Sequence, residues 1–169
     1  YWIYDVPGGK DRGAHAYKEN EEFIVALSGS FDVELDDGRN KQTFSLNRSY
    51  FGVYVPKGMW RTMKNFSTNS LALVLSSTEY DKDDYIMDYD EFKSWVKNPS
   101  IKTISSGNET SVKINNPTDT FSAKEGKSVF DCSLCELNKM HDVEGNLTYI
   151  YENVHVPFPI NRVFYSYDI

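Results

Sequence analysis

The last six residues of the chain repeat the pattern of the first six. Tyr1-Trp2-Ile3-Tyr4-Asp5-Val6 at one end matches Phe164-Tyr165-Ser166-Tyr167-Asp168-Ile169 at the other, aromatic for aromatic and Asp for Asp. Both copies alternate large apolar residues in the manner of a half-buried strand. Only the first continues into Pro7-Gly8-Gly9 and Arg12-Gly13-Ala14-His15-Ala16-Tyr17-Lys18, and only the second is preceded by His155-Val156-Pro157-Phe158-Pro159-Ile160-Asn161-Arg162-Val163. A duplicated strand with different flanks implies two half-modules of one unit joined head to tail.

The punctuation between those ends is that of an antiparallel β protein. Strand-like runs fall at 2–6, 22–28, 31–35, 41–45, 52–55 and 71–76, separated by Pro, Gly, Asp and Ser clusters. The Asp37-Gly38 pair between two alternating runs is the sharpest hairpin signal. Short strands at this spacing predict a sandwich or barrel. Tyr89, Phe92, Trp95 and Val96 recur at helical spacing behind a capping Asp88, which predicts one short helix over 88–97 on the outside of the sheet. Residues 98–128 are polar and read as a linker. Strands resume at 133–137, 147–151 and 162–167.

The chain carries 12 Tyr and 10 Phe in 169 residues, which favours strands and supports a real core. A net charge of −7 argues against generic nucleic-acid or anionic-membrane binding. No stretch approaches the roughly 20 apolar residues of a membrane helix. Cys132 and Cys135 are the only cysteines, which implies no disulfide framework and a cytoplasmic setting.

Several ordered motifs resemble the nucleotide-sugar 3,4-ketoisomerases of the cupin superfamily, which act on dTDP-4-keto-6-deoxyglucose. The segment 12–18 is similar to that family's R-G-x-H-A-H-K, Gly29-Ser30 with Leu35-Asp36-Asp37-Gly38 to its hairpin, and Val55-Pro56-Lys57-Gly58-Met59-Trp60 to its I-P-x-x-x-W turn. Tyr80-Asp81, Asp83-Asp84-Tyr85-Ile86 and Asp88-Tyr89-Asp90-Glu91-Phe92 resemble its closing helix signature, and residues 132–169 resemble the start of a family member. The resemblance implies an all-β cupin fold, a double-stranded β-helix or jelly-roll sandwich. It also implies an order of parts: a cupin body over 1–97, the linker 98–128, and head strands over 129–169 that complete a body in cis or by exchange between two chains. An excised piece of a tandem protein and a circular permutation both fit that order, and the duplicated strand favours the former.

The activity implied is movement of a carbonyl between adjacent sugar carbons through an enediol, which needs a base at carbon and an acid at oxygen. The resemblance assigns this chemistry to an H-x-H pair, and here the pair is His15 and Tyr17. A phenol donates a proton or orients an oxygen, and is a poor base at neutral pH. The same resemblance nominates Arg12, Tyr4, Trp60 and Arg61 for substrate binding, and it places the site of Arg162 in a second module. No cofactor is implied. The cupin metal set is incomplete, because position 17 is Tyr and Arg61 follows Trp60 where a His could stand. The expected partners are a dTDP-linked keto-sugar and a second copy of the chain, with no nucleic acid and no membrane. A non-catalytic nucleotide-sugar-binding or dimerisation module is the alternative that Tyr17 leaves open.

Overall fold

The structure, a computed structural model, describes residues 11–97, 128–142 and 145–167. The expected strand at 2–6, with Tyr4, and the linker up to 127 lie outside the described residues.

Eight strands and a helix form the body: β1 (Arg12–Tyr17), β2 (Glu22–Ser28), β3 (Phe31–Asp36), β4 (Lys41–Leu46), β5 (Phe51–Val55), β6 (Trp60–Lys64), β7 (Leu71–Ser76), β8 (Tyr85–Ile86) and α1 (Tyr89–Lys97). The tail adds β9 (Ser133–Glu136), β10 (Lys139–Asp142), β11 (Gly145–Thr148) and β12 (Arg162–Tyr167). The first sheet runs β4-β3-β6-β1-β8, the second β12-β7-β2-β5-β9, and β10 pairs with β11 as a separate hairpin. Every pairing between these strands is antiparallel. Two facing antiparallel sheets with one helix outside make this a cupin-type jelly roll.

Alternation places the core. Ile24, Ala26, Val53, Val55, Ala72 and Val74 of the second sheet meet Phe31, Val33, Leu35 and Met63 of the first. The residues between them in sequence, Phe23, Val25, Tyr54 and Leu75, point the other way and form a second apolar cluster with Cys135, Leu137, Val156 and Phe158 of the tail. The continuous run Phe23-Ile24-Val25-Ala26 thus belongs to a strand buried on both faces. Packing there is close: a Cβ on Gly52 would run into the Phe23 ring.

α1 lies on the outer face of the first sheet, where Phe92 packs on Ala16 and Ile86, with Trp60, Tyr89, Trp95 and Val96 around them. The Asp88 carboxylate accepts from the Glu91 N–H at 2.8 Å and caps the helix. In the β3–β4 turn, Asp37 Oδ1 accepts from the N–H groups of Arg39 and Asn40 at 2.8 Å each. The other oxygen of Asp37 accepts from the Val129 N–H at 3.0 Å, tying the start of the tail to the body.

Five strands depart from the expected pattern, among them β8 and β10, which fall outside every expected run. β1 and β6 were not legible as apolar alternation because the residues they turn inward are His15, Tyr17 and Arg61. The strand expected at 147–151 ends at Thr148, since Ile150 turns back against the apolar outer face of the second sheet.

Candidate active site

The polar residues between the sheets collect around β1. His15 and Tyr17 are buried, with 6% and 5% exposure, on the face opposite Ala16. β6 pairs with β1 so that Arg61 lies opposite His15, and β8 pairs so that Tyr85 lies opposite Tyr17. Ring centroids are 4.9 Å apart for His15 and Tyr17, 5.1 Å for His15 and Tyr85, and 4.5 Å for Tyr17 and Tyr85.

Glu22 enters from the second sheet and takes Arg61 as a two-point ion pair, Nη2 to Oε1 at 3.0 Å and Nε to Oε2. Arg61 Nη1 also reaches the Gly13 carbonyl at 3.4 Å. Gly13 has φ +64, and a Cβ there would collide with the same guanidinium. The β1 register shifts between Arg12 and His15, which is where this glycine sits. Glycine at position 13 therefore lets the backbone turn over Arg61 and aim His15 inward.

Asp84 fixes β8. Its Oδ1 accepts from the N–H groups of Lys18 and Glu19 at 3.0 and 2.7 Å, and its Oδ2 from Asn20 at 3.1 Å. The carboxylate thus wraps the turn after Tyr17 and holds the adjacent Tyr85 in register. Asn20 in turn accepts from the Thr78 N–H at 3.1 Å. Arg162 reaches the same end of the molecule from β12, with Nη2 3.4 Å from Ser76 Oγ and its guanidinium 5.8 Å from the Tyr80 ring.

The electrostatics follow from burial. Desolvation pushes the His15 pKa far below the ordinary imidazole value, and the charges of Arg61 and Arg162 push the same way, so His15 is neutral. Its Nε2 is buried with no hydrogen-bond partner among the described residues. Burial raises the Tyr17 pKa strongly, the charge of Glu22 adds to this, and a hydrogen bond with Tyr85 contributes. Tyr17 is thus a protonated phenol at any physiological pH.

Of the residues nominated from sequence, the structure brings His15, Tyr17 and Arg61 together. Tyr4 lies outside the described residues. Trp60 is on the other face of β6, its ring 5.2 and 5.6 Å from those of Tyr89 and Phe92, and it belongs to the helix contact rather than to the His15 pocket. Alternation requires this once Arg61 points inward. Arg61 itself is 2% exposed with its guanidinium on Glu22, a framing position rather than an open anion contact. Arg12 keeps a buried Nε without a hydrogen-bond partner, three residues from His15. Sequence reasoning missed the pairing of Glu22 with Arg61, the position of Tyr85 and the placement of Arg162. The charged Glu22 at the head of an apolar run was the available signal for the first. Among the described residues, no three His, Cys, Asp or Glu side chains gather as a metal site. A cavity of about 650 Å³ lies elsewhere, on the outer face of the second sheet between Val25, Leu73 and Leu75 and the tail residues Leu137, Ile150 and Ile160.

This geometry has known counterparts. The family model described as FdtA, WxcM-like C-terminal matches residues 1–97 and 130–169. The chain belongs to the FdtA, WxcM-like family. Within that family it is 42% identical over 96 residues to the TDP-4-oxo-6-deoxy-alpha-D-glucose-3,4-oxoisomerase of Aneurinibacillus thermoaerophilus, covering 57% of this chain and 69% of that protein. A 3,4-ketoisomerase from Helicobacter canadensis superposes with a TM-score of 0.55 at 45% identity, covering 57% of this chain and 72% of the other. A sugar 3,4-ketoisomerase from Thermoanaerobacterium thermosaccharolyticum, solved in complex with TDP, gives 0.54 at 31% identity over 55% and 68% of the two chains.

Proposed function

We propose that the chain is a nucleotide-sugar 3,4-ketoisomerase, moving the carbonyl of a dTDP-linked 4-keto-6-deoxyhexose from C4 to C3 by proton transfer through an enediol. The observation that carries this reading is His15: a neutral, buried imidazole whose Nε2 has no hydrogen-bond partner among the described residues, inside a cupin of the FdtA, WxcM-like family. Proton abstraction beside a carbonyl needs such a base, already deprotonated and shielded from water.

His15 takes the proton from C3 and returns it to C4. Tyr17, held protonated, serves the sugar oxygens as donor and orienting group. Arg12 supplies the cationic contact to the diphosphate or a sugar oxygen, where two N–H groups match two oxygens. Arg61 acts through His15: burial does most to keep the imidazole neutral, and the Arg61 guanidinium, fixed by Glu22, adds to it. The proposed reaction is internally balanced, so no cofactor enters. We assign the chain to the cytoplasm, a reading that Cys132 and Cys135, which form no disulfide, support.

The same reading includes a homodimer, in which each chain's tail strands β9 and β12 stay paired to its own second sheet. Leu134, Met140, Leu147, Val154 and Val163 are about half exposed on the tail, an apolar surface of the kind a second copy covers.

The test is incubation of the purified chain with dTDP-4-keto-6-deoxyglucose in D2O, followed by NMR. Isomerase activity gives deuterium at C3 of the recovered substrate and a 3-keto product; a substrate that stays protonated and unchanged rejects the reading.

A further inference from the structure

We propose that His155 is the latch of a pH-sensitive strap, residues 149–161, which closes over the apolar outer face of the second sheet. The neutral imidazole holds the strap shut, and protonation of the ring releases it. The strap lies on the face of that sheet away from His15, so its closure does not depend on the isomerase reading.

The strap joins β11 to β12. Its Ile150, Val156, Phe158 and Ile160 pack with Phe23, Val25, Tyr54 and Leu75 of the sheet. Ile150 and Ile160 also wall the cavity of about 650 Å³, with Val25, Leu73 and Leu75 on its floor. The far end is pinned to the body, where the Asn161 N–H donates to the Ser76 carbonyl at 3.0 Å and its side-chain amide to the Ser77 carbonyl. Between its ends the strap folds back on itself. The His155 N–H donates to the Tyr151 carbonyl at 2.9 Å, Asn153 takes a left-handed φ of 55 at the bend, and the Glu152 carboxylate accepts from the Ile160 N–H at 2.9 Å.

One further contact closes the bend: the Tyr151 N–H donates to His155 Nδ1 at 2.9 Å. A backbone N–H only donates, so Nδ1 carries a lone pair and the ring proton sits on Nε2. Asn138, in the connection between β9 and β10, has its side-chain amide 3.3 Å from Nε2. With its amide oxygen turned to the ring, Asn138 accepts the Nε2–H. Neutral His155 therefore uses both nitrogens, one inside the strap and one on the neighbouring connection. Protonation places a second N–H on the ring, facing the N–H of Tyr151, and the bond that closes the bend is lost. No carboxylate pairs with the ring among the described residues. The Tyr149 and Tyr151 rings lie 5.5 and 5.9 Å from it, Glu152 is engaged by Ile160, and Lys139 beside Asn138 is paired with Glu136 and lies over Tyr50. Partial burial acts in the same direction and lowers the His155 pKa from its ordinary value. The closed strap is thus fully favoured above about pH 6.5 and is lost as pH falls below it.

The experiment is hydrogen exchange of the Tyr151 amide, read by NMR on the intact chain at pH 7.5 and pH 5, with each rate corrected for the intrinsic pH dependence of exchange. His155→Asn offers the same N–H an oxygen that does not titrate. His155→Phe keeps a ring and removes the acceptor. His15 is present in all three, so its own response to pH cancels. Proton binding to the open strap alone raises its population by up to about thirtyfold between these pH values. The intact chain is expected to lose Tyr151 protection by between two- and about thirtyfold on acidification, while each variant changes by less than twofold. Tyr151 exchanges faster than the β2 amides at both pH values, because the strap opens without the body. A change below twofold in the intact chain, a change above twofold in either variant, or Tyr151 exchanging at the rate of β2 overturns the proposal. So does a nitrogen spectrum that places the His155 proton on Nδ1 at pH 7.5.

Discussion

Arg61 shows how one residue can be indispensable to a pocket without touching a ligand. Its guanidinium and the Glu22 carboxylate are both nearly inaccessible, at 3% and 1% side-chain exposure, so each neutralises a charge the other could not bury alone. Removing one partner leaves the other charged in a low-dielectric interior. Arg61→Met is expected to cost about 3–5 kcal/mol in chemical denaturation. The double variant Arg61→Met with Glu22→Leu recovers much of that loss, because no lone charge remains. Equal stability of the single variant and the parent would show the pair to be solvated. His15 adds a second, pH-dependent effect. Its folded pKa lies below the ordinary 6.5 of the unfolded chain. Stability that rests on a neutral imidazole is therefore complete above about pH 6.5 and is lost as pH falls below it. The parent should lose more melting temperature between pH 7.5 and 5 than His15→Gln does; parallel curves would contradict a desolvated His15. Turnover should also hold through pH 6, where an exposed imidazole base would be mostly protonated.

At the scale of elements, visibility in sequence followed which way the side chains point. β2, β3, β4, β5 and β7 carry apolar residues inward and were readable as alternation or as apolar runs, and β12 was readable from the pattern it shares with the first six residues. α1 was readable from its spacing and its capping Asp88. β1, β6 and β8 were not, because they turn His15, Tyr17, Arg61 and Tyr85 into the interior, and those residues break the apolar rhythm. The strands that are hardest to find are those that build the pocket. Contacts such as Glu22 to Arg61, 39 residues apart, leave no periodic trace at all. The tail strands have a definite structural task. β9 and β12 pair with β5 and β7 at the two edges of the second sheet, while Leu137, Val156 and Phe158 cover its outer face. Phe23, Val25, Leu75 and Tyr54 would be uncovered without them, at about 1.5–3 kcal/mol for each large side chain. That sum is comparable with the whole stability of a typical domain. A chain ending at Lys97 is expected to lose its cooperative unfolding transition, and the intact chain to weigh two copies by light scattering. A truncated chain that unfolds cooperatively would contradict this account of the tail, and an intact chain that stays at 19.5 kDa would contradict the dimer.

The whole molecule is a jelly roll with two unlike interiors. One is apolar and holds the sheets together; the other is polar, closes around His15, and draws Arg162 from the tail to the same end. Sequence motifs located His15 and Tyr17 but assigned Arg162 to another module, because spacing along the chain carries no information about which sheet edge a distant strand joins. The central claim is that His15 is the base that moves hydrogen between C3 and C4. Deuterium entry at C3 of dTDP-4-keto-6-deoxyglucose, followed by NMR in D2O for the intact chain and for His15→Ala, tests it most directly. The account predicts exchange and 3-keto product with the intact chain, and a loss of both by about 10²–10⁴-fold in His15→Ala. Exchange at the full rate in His15→Ala would contradict it.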